Sequence, residues 1–565
     1  MQDPPEVRAG RRFVRLRSQL SDPSPTALLV VGIALVALAI QLYALSRHGY
    51  LKGITEYDDA VYIAAASRLV HGSIPYRDFA FVAPPGVPIL MIPVALVGRV
   101  TGIRDALVIA RLITALVTVL NIAALGVLLR HRGMITVLVA CGVLAAYPAT
   151  ILTGRTLLLE PYLVLFCLVG AIVAFEGDRL TGSSRRLLWA GVAFGFAGTM
   201  KIWAILPFVA LLLVCLPTLR RRVVPLVAGA SLGFVVPCLP FFLAAPGAFT
   251  RDVITVQLER SGLMRTPLSL RLSYLTGVVG TTLRLTSHEE VGVAVGIVGV
   301  VALAFVATRA TGATRATGAT GATRATGATR ATGATRATGA TRATGATMTA
   351  QATDASFTPM ERFGLISAVL IGGSFLFPVD FYYHYAAFLA PFLALVVGLA
   401  AERLVRHLGQ REAALALGVA FAAVGVINVN GAVFAARATV IPAPDPAVEI
   451  DLAIPSGACV VTDTTSFLVN ANRLNNSPRS CPDVVDPLGT TLTLNHGRRP
   501  TAELADSSAV VRVWLADLAR ADYLILSDES ATRLPFTPTI ANYVNAHFIQ
   551  LPVAGLQIYQ RIPTG

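Results

Sequence analysis

Charge is what this chain has least of. Only 14% of its 565 residues are Asp, Glu, Lys or Arg, against about 25% in soluble domains, which excludes an ordinary cytosolic enzyme. Lysine is nearly missing, with Lys52 and Lys201 alone among 46 basic residues. Six cysteines include no C-x-x-C pair and no metal-type spacing, so neither a zinc module nor a disulfide-dense secreted scaffold fits. A glycine-rich phosphate loop is also missing, which argues against direct use of a nucleotide.

What fills the chain instead is apolar. Hydrophobic residues make up 55%, and the mean hydropathy is +0.67. The excess falls in repeated runs of roughly 20 residues, the length that crosses a bilayer. The formal charge of +14 reads as a topology signal rather than a nucleic-acid patch, because it collects in short loops and the N-terminal arm. Residues 440–565 carry 8 basic and 12 acidic groups, a net of −4.

The pattern predicts a mainly α protein, a polytopic bundle of about eleven spans followed by a small extracytoplasmic α/β domain. Residues 1–25 form a basic cytoplasmic arm, and 26–45 an uncleaved first helix. The external acidic loop 46–104 ends in PPGVPILMIPVALVG, whose prolines make it a re-entrant or interfacial element. Spans follow near 105–129, 134–152, 160–176, 186–201, 203–217, 223–245 and 291–308. A core of 26–306 thus precedes a low-complexity A-T-G/A-T-R linker, 307–355, that cannot bury a core. Residues 356–436 add spans near 362–378, 385–401 and 413–434. Counted this way, every strongly basic loop lies inside and 437–565 lies outside. In that last region ACVVTD and ADYLILSD read as strands, VVRVWLADLAR as an amphipathic helix and LPVAGLQIYQRI as a hairpin. Export would permit a disulfide between Cys459 and Cys481, 22 residues apart.

The chemistry collects on the external side. Glu56, Asp58 and Asp59 crowd together after the first span, and mutual repulsion is expected to raise one pKa toward that of a working base. Tyr57 and Tyr62 add rings that suit a sugar face. Glu160 in GRTLLLEPY reaches the same side, and a carboxylate at a membrane edge is a functional candidate by default. Lys201 interrupts the apolar GTMKIWAILP and suits a lipid phosphate as a point charge; Arg77 and Arg155 are weaker versions of the same idea. Arg260 in the external segment and His384 in PVDFYYHYAAF complete the expected substrate-binding set. Outward acids, membrane-edge cations and a sealed apolar bundle suit transfer of a sugar from a lipid phosphate. A carboxylate would deprotonate the acceptor hydroxyl as it attacks the anomeric carbon in line. Two other classes compete: a transporter or flippase of a lipid-linked precursor, and a non-catalytic envelope-assembly scaffold.

The N-terminal arginines, Asp58-Asp59-Ala60-Val61-Tyr62, the helix ending SRLVHG and the proline-rich APPGVPIL resemble the polytopic glycosyltransferases of the GT-C superfamily. The branch they are most similar to holds the lipid-A aminoarabinose, protein O-mannosyl and rhizobial galacturonosyl transferases. Arg111, Glu160, Lys201 and the C-terminal region match its layout. The resemblance implies Asp58 as catalytic base, with Asp59 and Glu160 orienting the acceptor or, with Asp58, holding a divalent cation (Mg, Mn or Ca). It implies a polyprenyl-phosphate sugar donor, a lipid, glycan or protein acceptor, and a bacterial plasma-membrane location. The chain departs from that branch at Ala83, where relatives often carry Lys before Pro-Pro, and at Val61, where they carry Arg; Asp59 replaces the commoner Glu.

Overall fold

The computed structural model describes residues 24–47, 49–216, 219–260, 265–277, 357–378, 380–408, 446–475, 480–498, 508–527, 533–553 and 555–563. The expected spans near 291–308 and 413–434, the basic arm and the repeat lie outside the described residues. Among the described residues four helices are long and apolar enough to cross a membrane: Pro25–Leu45, Ile103–Arg132, Arg221–Ala244 and Tyr383–Arg406. Counting the bent pair Met134–Ala146 and Pro148–Gly154 as one span makes five.

Two expected spans are broken by local chemistry. The run 134–152 bends by 59° between Met134–Ala146 and Pro148–Gly154. Proline disfavours helical backbone in the residue before it, and Tyr147 is accordingly extended (φ −72°, ψ 123°). The helix expected to reach Lys201 stops at Gly198; Lys201 itself is extended (φ −155°, ψ 134°) and a 3-10 turn, Ile202–Ala204, follows. The proline-rich external run is two short helices, Gly86–Leu90 and Ile92–Thr101.

One helix pair packs closely at its glycines. Ser184–Gly198 and Leu219–Ala244 bring Gly191 and Gly195 against the backbone of Leu226 and Ala230, and Gly229 and Gly233 against that of Leu188 and Val192. A Cβ on Gly195 would lie 2.0 Å from the Ala230 carbonyl oxygen, and one on Gly229 2.0 Å from that of Leu188. Reciprocal small-x-x-x-small spacing lets backbones approach where lipid supplies no hydrophobic drive between helices.

The helix Ile103–Leu129 joins two polar ends. Near its start, buried Arg111 meets Asp59. Just beyond its end, Arg132 pairs with Asp178 at 2.7 Å, Glu402 at 3.3 Å and Glu361 at 3.4 Å. At ~1.5 Å per residue these ends are roughly 30 Å apart, about one hydrocarbon thickness. A two-stranded hairpin, β1 (Phe175–Glu176) and β2 (Arg179–Leu180), carries the loop that holds Asp178.

The C-terminal residues build a four-stranded sheet in the order β3-β4-β6-β5, from β3 (Val460–Thr462), β4 (Tyr523–Leu526), β5 (Phe548–Gln550) and β6 (Gln557–Arg561). β3 and β4 are parallel; β6 pairs antiparallel with both β4 and β5. All four residues of β4 are buried, as expected of a strand covered on both faces. The helix Ala509–Arg520 covers it with the stripe Val510, Trp514 and Leu518, spaced one helical turn apart. Cys459 and Cys481 are disulfide-bonded, with Cα atoms 5.3 Å apart.

Candidate active site

The site is organised by one helix, Tyr57–Val70. Glu56 precedes it in extended conformation (φ −143°), and Asp58 and Asp59 occupy its first turn, where acids complement the helix dipole. Neighbouring helical residues point about 100° apart, so the two aspartates cannot serve the same partner.

Asp59 turns inward. Its Oδ2 accepts from Arg111 Nη2 at 2.5 Å, Arg111 Nε at 3.1 Å and Thr156 Oγ1 at 2.8 Å. Arg111 Nη1 donates to the carbonyls of Tyr50 and Leu51 at 2.9 and 2.8 Å. The pair is fully buried. The structure therefore places Asp59, expected in the chemistry, as an anchor of the helix start.

Asp58 faces the other way and is partly buried. Tyr62, one turn on, donates to its Oδ2 at a long 3.4 Å. The charge of Asp58 acts on Lys201, Arg260, Tyr382, Tyr385 and Asp486. Around it, Arg260 Nη2 donates to the Tyr382 hydroxyl at 3.2 Å, with the guanidinium 5.5 Å from the Tyr382 ring centre. Lys201 Nζ donates to Glu160 Oε1 at 2.9 Å and sits 3.8 Å over Trp203 and 4.3 Å over Tyr385. His384 Nδ1 lies 2.9 Å from the same Glu160 oxygen. The extended break at Lys201 swings its side chain into this cage.

Glu160 is thus already neutralised by an ammonium and bonded to an imidazole. One of its oxygens is so engaged, and Asp58 stands on another element. Among the described residues no group of three or more His, Cys, Asp or Glu could hold one.

The C-terminal layer closes the site. Tyr57 donates to Asp486 Oδ1 at 2.9 Å, accepts from the Leu488 amide at 2.9 Å, and has the Arg533 guanidinium 4.5 Å over its ring. The guanidinium covers one face of the Tyr57 ring, which was expected to meet a sugar. Tyr62, buried and edge-on to Phe81, keeps its hydroxyl toward Asp58. Burial pushes the Asp486 carboxyl up to about 6. Burial also raises Glu56, more than its acidic neighbours do, and Tyr383 donates a short hydrogen bond to it. Arg68 pairs with Asp483 at 2.7 Å, and Asn475 Nδ2 donates to Ser67 Oγ at 2.9 Å, so the whole helix is clamped by this layer.

Two expected cations lie outside the Asp58 cluster. Arg77 is exposed and makes a two-pronged pair with its neighbour Asp78 at 2.8 and 2.9 Å. Arg155 is buried with its guanidinium 4.5 Å over Tyr50. Sequence reasoning missed Asp486, Arg533, Tyr382, Tyr383, Tyr385 and Trp203. The tyrosine run beside His384 and the tryptophan after Lys201 were visible signals. Asp486-Pro487 reads simply as a helix start, and Asp486 does cap Pro487–Leu494 through the Gly489 amide at 2.8 Å.

No family model matches this chain, and no curated protein matches it. Among solved structures it is similar to ArnT from Cupriavidus metallidurans bound to undecaprenyl phosphate, with TM-score 0.52 and 12% identity over 95% of this chain and 98% of that one. The apo state of the same protein gives TM-score 0.52 and 13% identity over 94% and 98%. The likeness is one of fold, and the long apolar helices make this a membrane protein.

Proposed function

We propose that this protein is an inverting glycosyltransferase that takes a sugar from a polyprenyl-phosphate donor and passes it to a cell-envelope acceptor at the outer face of a bacterial plasma membrane. The observation that carries this reading is the convergence of a lightly bonded carboxylate, Asp58, with two cations, Lys201 and Arg260, under the cover of the C-terminal layer. ArnT, which shares the fold, binds undecaprenyl phosphate.

In the proposed reaction Asp58 accepts the proton of the acceptor hydroxyl. The freed oxygen attacks the anomeric carbon from the side opposite the phosphate, and the carbon–oxygen bond to phosphate breaks, inverting the centre. The bonding pair leaves on the polyprenyl phosphate, whose charge Lys201 and Arg260 offset in a site largely closed to water. Glu160, itself bonded to His384, holds the ammonium in place. The Cys459–Cys481 disulfide supports an exported C-terminal layer, since such bonds persist in oxidising compartments. The basic Arg130-His131-Arg132 turn at the other end of the long helix supports a cytoplasmic position for that end.

The test offers radiolabelled polyprenyl-phosphate mannose, arabinose and galactose to membranes carrying the protein, with an envelope lipid and glycan extract. Label transfer that Asp58→Asn abolishes, with the variant still folded, is the expected result. Undiminished transfer by Asp58→Asn refutes the base assignment, and no transfer from any donor by folded protein refutes the class.

A further inference from the structure

Behind Glu160, inside the helix bundle, lies a cavity of about 10 Å³ lined by Thr118, Asn121, Thr150, Thr153 and Glu160 among apolar neighbours. That volume matches the room one water centre needs. Three side-chain atoms at this wall have no hydrogen-bond partner among the described residues: Glu160 Oε2, Asn121 Oδ1 and Thr150 Oγ1. All three residues are more than nine-tenths buried.

The remaining groups on the wall are committed elsewhere. Thr153 donates to the Ala149 carbonyl at 2.8 Å and Thr118 to the Thr114 carbonyl at 3.0 Å. Asn121 Nδ2 donates to the Pro161 carbonyl at 2.8 Å, which fixes the amide so that its oxygen is the unpartnered atom. Glu160 Oε1 is taken by Lys201 and His384. What remains is two acceptors that cannot satisfy one another and one hydroxyl able to donate.

We propose that this cavity is a binding site for a single internal water, which donates its two hydrogens to Glu160 Oε2 and Asn121 Oδ1 and accepts from the Thr150 hydroxyl. All three side-chain groups are then satisfied, and buried waters make about three such bonds. A monovalent cation fits the two acceptors less well, because Lys201 already neutralises Glu160 and a second positive charge would be buried unpaired. The water holds Glu160 from the rear while Lys201 and His384 hold it from the front, so the carboxylate that positions the ammonium is fixed on both oxygens. The inference rests on packing and hydrogen-bond chemistry, and it stands whether or not the donor reading does.

The test compares thermal midpoints of the purified full-length protein carrying Thr150→Val or Thr150→Ser. Valine has the shape of threonine without the hydroxyl; serine keeps the hydroxyl and loses a methyl. With the water bound, Thr150→Val falls by about 1–2 °C and lies below Thr150→Ser. A dry cavity gives the opposite order, with Thr150→Val unchanged or raised, and overturns the proposal. A structure of the unmodified protein at 2 Å or better is the second measurement, independent of either variant. It is expected to show a peak about 2.5–3.0 Å from all three oxygens. A midpoint that rises in sodium chloride over choline chloride, with the peak assigned to sodium, also overturns it.

Discussion

Replacing Asp59 with asparagine separates two roles that its position beside Asp58 confounds. The side chain keeps its shape and an oxygen able to accept from Arg111, but the guanidinium loses the one counter-charge it pairs with among the described residues, in a site where the two side chains are 0% and 1% exposed. Arg111 stays in place through the Tyr50 and Leu51 carbonyls and the Thr55 hydroxyl, so its charge cannot escape to water. Leaving one member of a buried pair uncompensated costs about 3–5 kcal/mol. Asp59→Asn is therefore expected to lower the unfolding midpoint clearly and to reduce transfer only in proportion to folded protein. The double variant Asp59→Asn with Arg111→Met removes the stranded charge but leaves two carbonyls without donors, at about 1–3 kcal/mol each. It should cost less than the sum of the two single variants. Thermal melts in detergent, paired with label transfer per folded molecule, make the measurement. An Asp59→Asn protein with the parent's midpoint and no transfer would refute the anchor reasoning and return Asp59 to the chemistry.

Three further outcomes follow from the geometry. Lys201→Gln should cut transfer on the order of 10²-fold at saturating donor, and an unchanged initial rate would remove Lys201 from the phosphate site. Asp486 has a folded pKa raised from 3.8 to about 6, so between those values the folded chain binds a proton that the unfolded chain does not. Its contribution to stability is then full below about pH 4 and is lost as pH rises through about 6. Asp486→Asn, which can still accept from Tyr57 and Gly489, should flatten that part of the stability-versus-pH curve; an unaltered slope would contradict the burial of this carboxyl. Gly195→Ala should lower the midpoint by roughly 1–3 kcal/mol equivalent, because its Cβ meets a backbone carbonyl. Gly198→Ala, whose nearest neighbour is a Phe234 ring carbon at 3.2 Å, should cost less, and equal costs would refute the close-packing argument.

Much of the helix pattern was legible from composition. Lipid imposes a length and a hydrophobicity on each span, so Pro25–Leu45 and Ile103–Leu129 could be bounded to within two residues. The strands at Val460–Thr462 and Tyr523–Leu526 show short continuous apolar runs, and the helix Ala509–Arg520 an ordinary period-3.6 signature. Breaks were harder to place. Pro148 signalled one, but nothing local to Lys201 announced an extended residue there, and the glycines at 191, 195, 229 and 233 acquire meaning only once their helices are known to touch.

The candidate site divides in the same way. The sequence by itself determined that this is an apolar, helical membrane chain with scarce charge, and scarcity, clustering after the first span, expected position at the outer face and the family resemblance together singled out Asp58, Asp59, Glu160, Lys201 and His384. Each charged group in such a chain has to be solvated or paired, and so each was a candidate before any geometry was known. Which partner each one takes was decided by the tertiary structure. A helical step of about 100° sends Asp59 to Arg111 and leaves Asp58 to the open side. Lys201 and His384, 183 residues apart in number, share one oxygen of Glu160. Asp486 reaches Tyr57 across 429 residues. Hydrophobic periodicity is a property of neighbouring residues, whereas ion pairing at these sequence separations depends on how the whole chain packs, and only the folded molecule specifies it.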